Sequence, residues 1–219
     1  MIIYKRLLSK SFVKKEEKIM KHKIIALLSA GVLMAGAMPA TAATHTVIKG
    51  DTMWKISVKY ETGLSEIINA NTHITNPDLI YPGQRLTVPL VNSKVTDFEA
   101  EVVRLVNEVR AQNGLKPLTH DWQLSRVARY KSQDMKDKNY FSHTSPTYGS
   151  PFEMMKSFGI SYKSAAENIA KGQSTPQAVV NAWMNSSGHR KNILSSSYTH
   201  IGVGYVANGN YWTQMFIGK

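Results

Sequence analysis

Hydrophobic and polar positions change rhythm four times along the chain. From Ile24 to Ala37 the residues are almost all apolar or small, without periodicity. From Thr44 to Pro89, short alternating or helical patterns are separated by turn residues. From Thr96 to Met184 apolar residues recur at helical spacing, interrupted by polar loops. After His200 the period falls to two, the spacing of strands.

The second stretch predicts a small βααβ unit. Thr44-His45-Thr46-Val47-Ile48 alternates as a strand, and Asp51 or Thr52 can cap a helix running to about Tyr60 through Met53, Trp54, Ile56 and Val58. Gly63 breaks that pattern, and Ser65 with Glu66 opens a second helix through Ile67, Ile68 and Ala70. Asn76-Pro77-Asp78 and Tyr81-Pro82-Gly83-Gln84 are turn chemistry, and Arg85 to Pro89 closes the unit as a strand. About 45 residues make a core that is marginal by surface-to-volume scaling.

The third stretch predicts helices. Thr96-Asp97-Phe98-Glu99 reads as a capping box ahead of Phe98, Val102, Leu105, Val106 and Val109, with Gly114 as the stop. A second helix opens at Leu118-Thr119 and runs to about Lys138. Ser150-Pro151 and Thr175-Pro176 each place a cap before an N1 proline. The segments 139–146, 165–170 and 185–194 read as loops rich in polar residues. His200–Val206 and Tyr211–Ile217 read as strands joined through Ala207-Asn208-Gly209-Asn210, a hairpin signal. Helices followed by paired strands give an α+β class.

The apolar run from Ile24, with Lys21 and Lys23 before it and Ala40-Thr41-Ala42 after it, has the form of a secretory signal peptide, cleaved after Ala42 or Ala43. Met20 stands where such a peptide would begin. The expected organisation is therefore a signal peptide over 1–43, a small module over 44–89, a joint over 90–95 and a second domain over 96–219. The run is too short and too rich in Gly and Ala for a stable membrane span. Charge changes with it. The whole chain is +12, but residues 1–43 hold eight Lys/Arg and two acidic residues, leaving 19 basic against 13 acidic, a net +6. That balance suits work among anionic wall polymers, and no basic run with interleaved aromatics supports nucleic-acid binding. Cysteine is absent, which removes disulfides, thiol nucleophiles and thiolate metal sites.

Residues 44–89 resemble the LysM family of glycan-binding modules. The resemblance rests on His45-Thr46-Val47, Lys49-Gly50-Asp51-Thr52-Met53-Trp54-Lys55-Ile56-Ser57, Asn69-Ala70-Asn71 and Leu79-Ile80-Tyr81-Pro82-Gly83-Gln84-Arg85-Leu86. It implies binding of N-acetylglucosamine-containing glycans, chiefly peptidoglycan, in a shallow groove. Carried onto this chain, the groove lies between Gly50, Asp51, Thr52 and Met53 on one side and Asn76, Pro77, Asp78, Leu79 and Ile80 on the other.

Residues 98–217 resemble the bacterial branch of the CAP superfamily, the SCP/PR-1-like domains. The motifs are Asn139 to Pro146, Ala165-Ala166-Glu167-Asn168-Ile169-Ala170, Asn185-Ser186-Ser187-Gly188-His189-Arg190-Lys191-Asn192-Ile193-Leu194 and Tyr198 to Tyr205. The resemblance implies an α/β/α sandwich with an open cleft lined by two His and two acidic residues, which in some members hold a divalent cation such as zinc. His143 and Glu167 match two of the four, and the last His falls on His200. Ser186 stands where the second acidic residue belongs. His189 and Glu153 are the nearby substitutes, and Arg190 reads as a structural clamp.

Two imidazoles and a carboxylate at His143, Glu167 and His200 are a candidate zinc set with water in the open position. The same groups, with His189, also suit general acid–base chemistry, or a structural role holding loops over the cleft. Glu167 draws attention because a carboxylate among Ala166 and Ile169 needs a partner if buried. No Gly-x-Ser-x-Gly elbow supports a serine hydrolase. The reading that follows is a secreted, monomeric protein of the wall or spore envelope of a Gram-positive bacterium, tethered to peptidoglycan by LysM, with a CAP cleft that binds rather than catalyses. The alternative is a metal-assisted peptidoglycan or peptide hydrolase delivered by LysM.

Overall fold

The structure, a computed structural model, describes residues 41–219. The apolar run 24–37, its basic flank and Met20 lie outside the described residues. Among the described residues no helix is long and apolar enough to cross a membrane.

The first module is built as expected, with shifted ends. Strand β1 (Thr41–Thr46) pairs antiparallel with β2 (Arg85–Leu90), and α1 (Met53–Lys59) and α2 (Leu64–Ala70) lie between them in sequence. Thr41, Ala42 and Ala43 sit opposite Leu90, Pro89 and Val88, so β1 begins ahead of the expected module boundary. Val47, Met53, Ile56, Ile67, Leu86 and Val88 form the core. Thr52 caps α1 by accepting from Lys55 N at 3.1 Å, while Gly63 leaves α2 without a side-chain cap. Asn71 stitches helix to sheet: Nδ2 donates to Ile67 O and Thr87 O at 2.7 Å, and Oδ1 accepts from Thr87 N at 2.8 Å.

Two residues, Val91 and Asn92, connect β2 to α3 (Ser93–Gln112). This helix starts three residues ahead of the expected capping box. Asn92 provides the cap, accepting from Lys94 N at 2.9 Å, and Thr96 lies inside the helix with its hydroxyl on Ser93 O. Glu99 is buried rather than capping. It accepts from Arg129 and from Tyr205 N, tying the helix across the sheet.

The second domain is an α/β/α sandwich, as the resemblance implies. Its sheet has the order β3-β5-β6-β4, from β3 (Thr119–His120), β4 (Ser164–Lys171), β5 (His200–Val206) and β6 (Tyr211–Gly218). The β5–β6 hairpin is the one read from the alternation. Thr119–His120 pairs parallel to β5 instead of opening a helix, and Asp121 caps α4 (Trp122–Asp137). On one face α4 and α5 (Pro151–Ser157) bury Leu124, Val127, Ala128, Met154 and Met155 against Met215 and Ile217. On the other, α3, α6 (Pro176–Asn185) and α7 (Ser187–Ile193) bury Val102, Val106, Val180, Trp183 and Ile193 against Val203, Trp212 and Phe216.

Two glycines set how closely α4 lies on the sheet. A Cβ at Gly202 would strike the Leu124 backbone, and one at Gly204 the backbone of Ala128 and Arg129. Only hydrogen fits there.

Segment 165–170, expected as a loop, is the edge strand β4. Its small residues fill too little volume to give a clear alternating signal, and its polar Glu167 and Asn168 mask it. Its outer edge is covered by side chains: Trp183 Nε1 donates to Ile169 O at 3.3 Å and Asn192 Nδ2 to Glu167 O at 3.4 Å.

Candidate functional site

In the first module, the loop after β1 and the loop before β2 are joined by Gly83 N to Val47 O at 2.9 Å and Val47 N to Gln84 O at 2.8 Å. Polar side chains here serve the backbone. Asp51 accepts from Ile48 N at 3.0 Å and from His45 Nε2 at 2.9 Å, and His45 Nδ1 pairs with Tyr60 OH at 3.1 Å. The hydrogen bond from Ile48 N, followed by that from His45, holds the Asp51 carboxyl below its usual range. Asn76 accepts from Asp78 N at 3.1 Å, an Asx turn. Of the expected groove residues, Met53 is core at 3 % exposure, so it offers a ligand only backbone, and Ile80 packs partly on that core. Gly50 has φ +90°, Thr52 is committed to its cap, and Pro77 stands within the 76–80 turn. Leu79 stands 51 % exposed. Ile48 and Tyr81 are also exposed, one beside each tied loop, and sequence reasoning passed over both. Their signal was an apolar residue at each edge of a turn.

In the second domain, the sequence separates His143 and Glu167 by 24 residues and the fold joins them. His143 lies in the loop after α4, and Glu167 in the middle of β4. His143 Nδ1 donates to Glu167 Oε1 at 2.7 Å. Glu167 is 7 % exposed and its Oε2 has no hydrogen-bond partner among the described residues. Burial pushes its carboxyl above the ordinary range, against the hydrogen bond from His143 and the charge of Lys131. With Nδ1 bonded, the outer nitrogen of the exposed His143 ring is free to serve as a hydrogen-bond acceptor, a base or a ligand.

A buried cation supports this loop. Lys131, on α4, has no exposure and donates to His143 O at 2.8 Å and Tyr140 OH at 3.3 Å. Burial lowers its pKa, and the carboxylates of Glu167 and Asp134 oppose that shift. Asp134, also fully buried, accepts from Tyr140 OH and Ser145 Oγ at 2.6 Å and from Thr147 Oγ1. Helix α4 thus holds both ends of the His143 loop. Sequence reasoning missed Lys131 and Asp134, whose only signal was charge on the apolar side of an amphipathic helix.

His189, half-buried on α7, lies near enough that burial first and then the charge of His143 lower its pKa. Its carbonyl accepts from Asn168, which also bonds Gln214 and Asn192. His200 is elsewhere. It begins β5, two strands from β4 with β6 between, and its Nδ1 pairs with Thr199 Oγ1 at 2.7 Å near Lys219 and Asp121. The assignment of the family's last His to His200 is therefore corrected: the second imidazole near the pair is His189. Glu153 is also corrected, since its carboxylate closes a capping box with Ser150. Arg190 is exposed. The clamp is Arg110, buried and donating to Lys116 O, Ile193 O and Ser195 O. Among the described residues no three His, Asp or Glu side chains converge as a metal-holding group, so the donor set expected for zinc does not fit.

Residues 103–217 match the family described as cysteine-rich secretory protein family, CAP, and residues 45–89 match the LysM domain. An uncharacterized protein of Bacillus subtilis, YkwD, is 69 % identical over 127 residues, 58 % of this chain and 49 % of that protein. An uncharacterized membrane protein of the same species, YlbC, is 36 % identical over 170 residues, 74 % of this chain and 49 % of that one. The chain spans about half the length of these relatives. The crystal structure of an extracellular SCP-domain protein from Bacillus anthracis superposes with a TM-score of 0.56 at 37 % identity, covering 63 % of this chain and 47 % of that one.

Proposed function

The chain belongs to the cysteine-rich secretory protein (CAP) family and carries a LysM domain ahead of it; from that premise we propose a wall-associated protein that binds N-acetylglucosamine-containing glycan, chiefly peptidoglycan, through LysM and offers the His143–Glu167 pair to a second ligand. The observation that carries the glycan half is the pair of tied loops. Asp51 and Asn76 are engaged with their own loop backbone, while Ile48, Leu79 and Tyr81 stay exposed as apolar contacts for sugar rings. A groove already fixed by internal hydrogen bonds binds without a large ordering cost. Export through the 1–43 segment fits this reading.

The CAP half rests on an exposed imidazole oriented by a buried carboxylate with one unused oxygen. Such a pair accepts a proton or a hydrogen bond from a ligand hydroxyl or amide. A metal-assisted hydrolase asks for a third converging ligand, which the described residues do not bring. Binding asks only for the exposed imidazole and its carboxylate, and is the reading advanced.

Cosedimentation with purified peptidoglycan tests it. The protein is expected to pellet with the sacculi, Leu79→Asp to stay largely in solution, and His143→Ala to pellet like the wild type. If Leu79→Asp pellets as fully as the wild type, the glycan groove is not where it is placed here.

A further inference from the structure

The two domains meet through a second contact besides the chain itself. Val91 and Asn92 form one attachment between β2 and α3, and a single attachment leaves rotation about it open. The second lies on α2 and α4. Arg126 Nε donates to Glu66 Oε1 at 2.5 Å, and its Nη2 donates to Glu66 Oε2 at 2.8 Å and to Ser65 Oγ at 2.9 Å. Tyr130 OH adds a bond to Glu66 Oε1 at 3.0 Å.

The CAP side builds the donor before LysM arrives. The Arg126 guanidinium lies over the rings of Tyr130 and Phe158, 5.4 and 5.1 Å from their centroids, which restricts the long side chain to one direction. A planar fork held this way matches a carboxylate with two parallel bonds, a geometry that lysine cannot supply. The side chains of Arg126 and Glu66 are only 19 % and 24 % exposed. Their attraction is thus screened less than that of a surface pair. The LysM side leaves room for the fork. Gly63 has ordinary extended backbone, yet a Cβ there would overlap Glu66 Oε2 and the Arg126 guanidinium.

We infer that Gly63, Ser65 and Glu66 of the LysM domain and Arg126, Tyr130 and Phe158 of the CAP domain form a docking clamp that makes the two domains one rigid body. The groove loops of LysM then face a ligand at a fixed angle to the β4 edge that carries Glu167. This holds whatever either domain binds. The same helix, α4, carries Arg126 at the clamp and Lys131 at the His143 loop, so the joint and the site share one mechanical support.

Backbone ¹⁵N relaxation of the full chain tests the clamp. In the wild type, residues 45–90 and 95–218 are expected to report one rotational correlation time. In Arg126→Ala the LysM residues should drop to a shorter time, towards that of a free small module, while the CAP residues keep theirs. Arg104→Ala, which removes an exposed pair on α3, should leave the single time unchanged. Should Arg126→Ala disturb the CAP spectrum, Gly63→Ala decides on the same criterion, because it evicts the guanidinium without changing a CAP residue. A shorter LysM time already in the wild type, or a single time retained in the deciding variant, overturns the proposal.

Discussion

The LysM loops and the CAP pair are built on opposite principles. In the LysM domain, Asp51, Asn71 and Asn76 satisfy nearby backbone within a module of about 45 residues, and Ile48, Leu79 and Tyr81 stay exposed beside the tied loops. In the CAP domain, Glu167, His143, Lys131 and His189 come from a strand, a loop and two helices, and a buried carboxylate oxygen of Glu167 has no hydrogen-bond partner among the described residues. The first surface costs little to maintain and is ready to stack. The second stores an unmet electrostatic need, held in place by a helix that the fold cannot give up. On the proposed function, readiness to bind comes from finished hydrogen bonding in one region and from unfinished hydrogen bonding in the other.

The largest expected effects test whether each region depends on its own pins. Arg129→Met strands Glu99, whose carboxyl burial already pushes upward, and should cost about 3–5 kcal/mol of CAP stability in denaturant unfolding. Asn71→Ala removes three hydrogen bonds in LysM and should cost about 2–3 kcal/mol, enough to unfold that small module while CAP amides keep their dispersion. If Asn71→Ala instead lowers the CAP transition equally, the two regions do not keep separate stability.

A smaller effect concerns the apolar platform. Tyr81→Ala should weaken binding of a chitooligosaccharide about tenfold, since covering a half-exposed ring is worth about 1–2 kcal/mol, and His189→Ala should not change it. Isothermal titration reads both.

The smallest effect separates two glutamates by sign. Glu66 has burial raising its pKa, but Arg126 prevails and lowers it. Its stabilising contribution is present above the unfolded carboxyl range and lost as pH falls through the depressed folded value. Glu167 has its pKa raised by burial. Its contribution is fully present below the unfolded range and lost as pH rises through the folded value. Glu66→Gln should therefore cost stability at neutral pH and little in acid. Glu167→Gln should cost little at neutral pH. Thermal unfolding from acid to neutral pH, with the wild type alongside, would show the slopes diverging. Parallel slopes would remove the contrast.

These contrasts also explain what was legible. The LysM unit could be read because its elements lie within one short stretch, where local turn chemistry determines the geometry. The β5–β6 hairpin was clear for the same reason. The helix start at Ser93 was misplaced because Thr96 and Glu99 imitate a capping box, while Glu99 answers to Arg129 and Tyr205, distant in sequence. β4 reads as a loop in sequence because small residues flank two polar ones. Position in the sequence favours His200 over His189, whereas strand order decides which imidazole reaches β4. Lys131 and Asp134 were invisible because a buried charge on a helix shows its meaning only with the loop it holds.

Gly204 carries a consequence beyond packing. Any side chain there lifts α4, and α4 holds Arg126 at one end of its influence and Lys131 at the other. A single methyl group would thus be felt in two places at once, as a loosened wrist and a misaimed fingertip. The pressure falls on the backbone of Ala128 and Arg129, between those two side chains on the same helix.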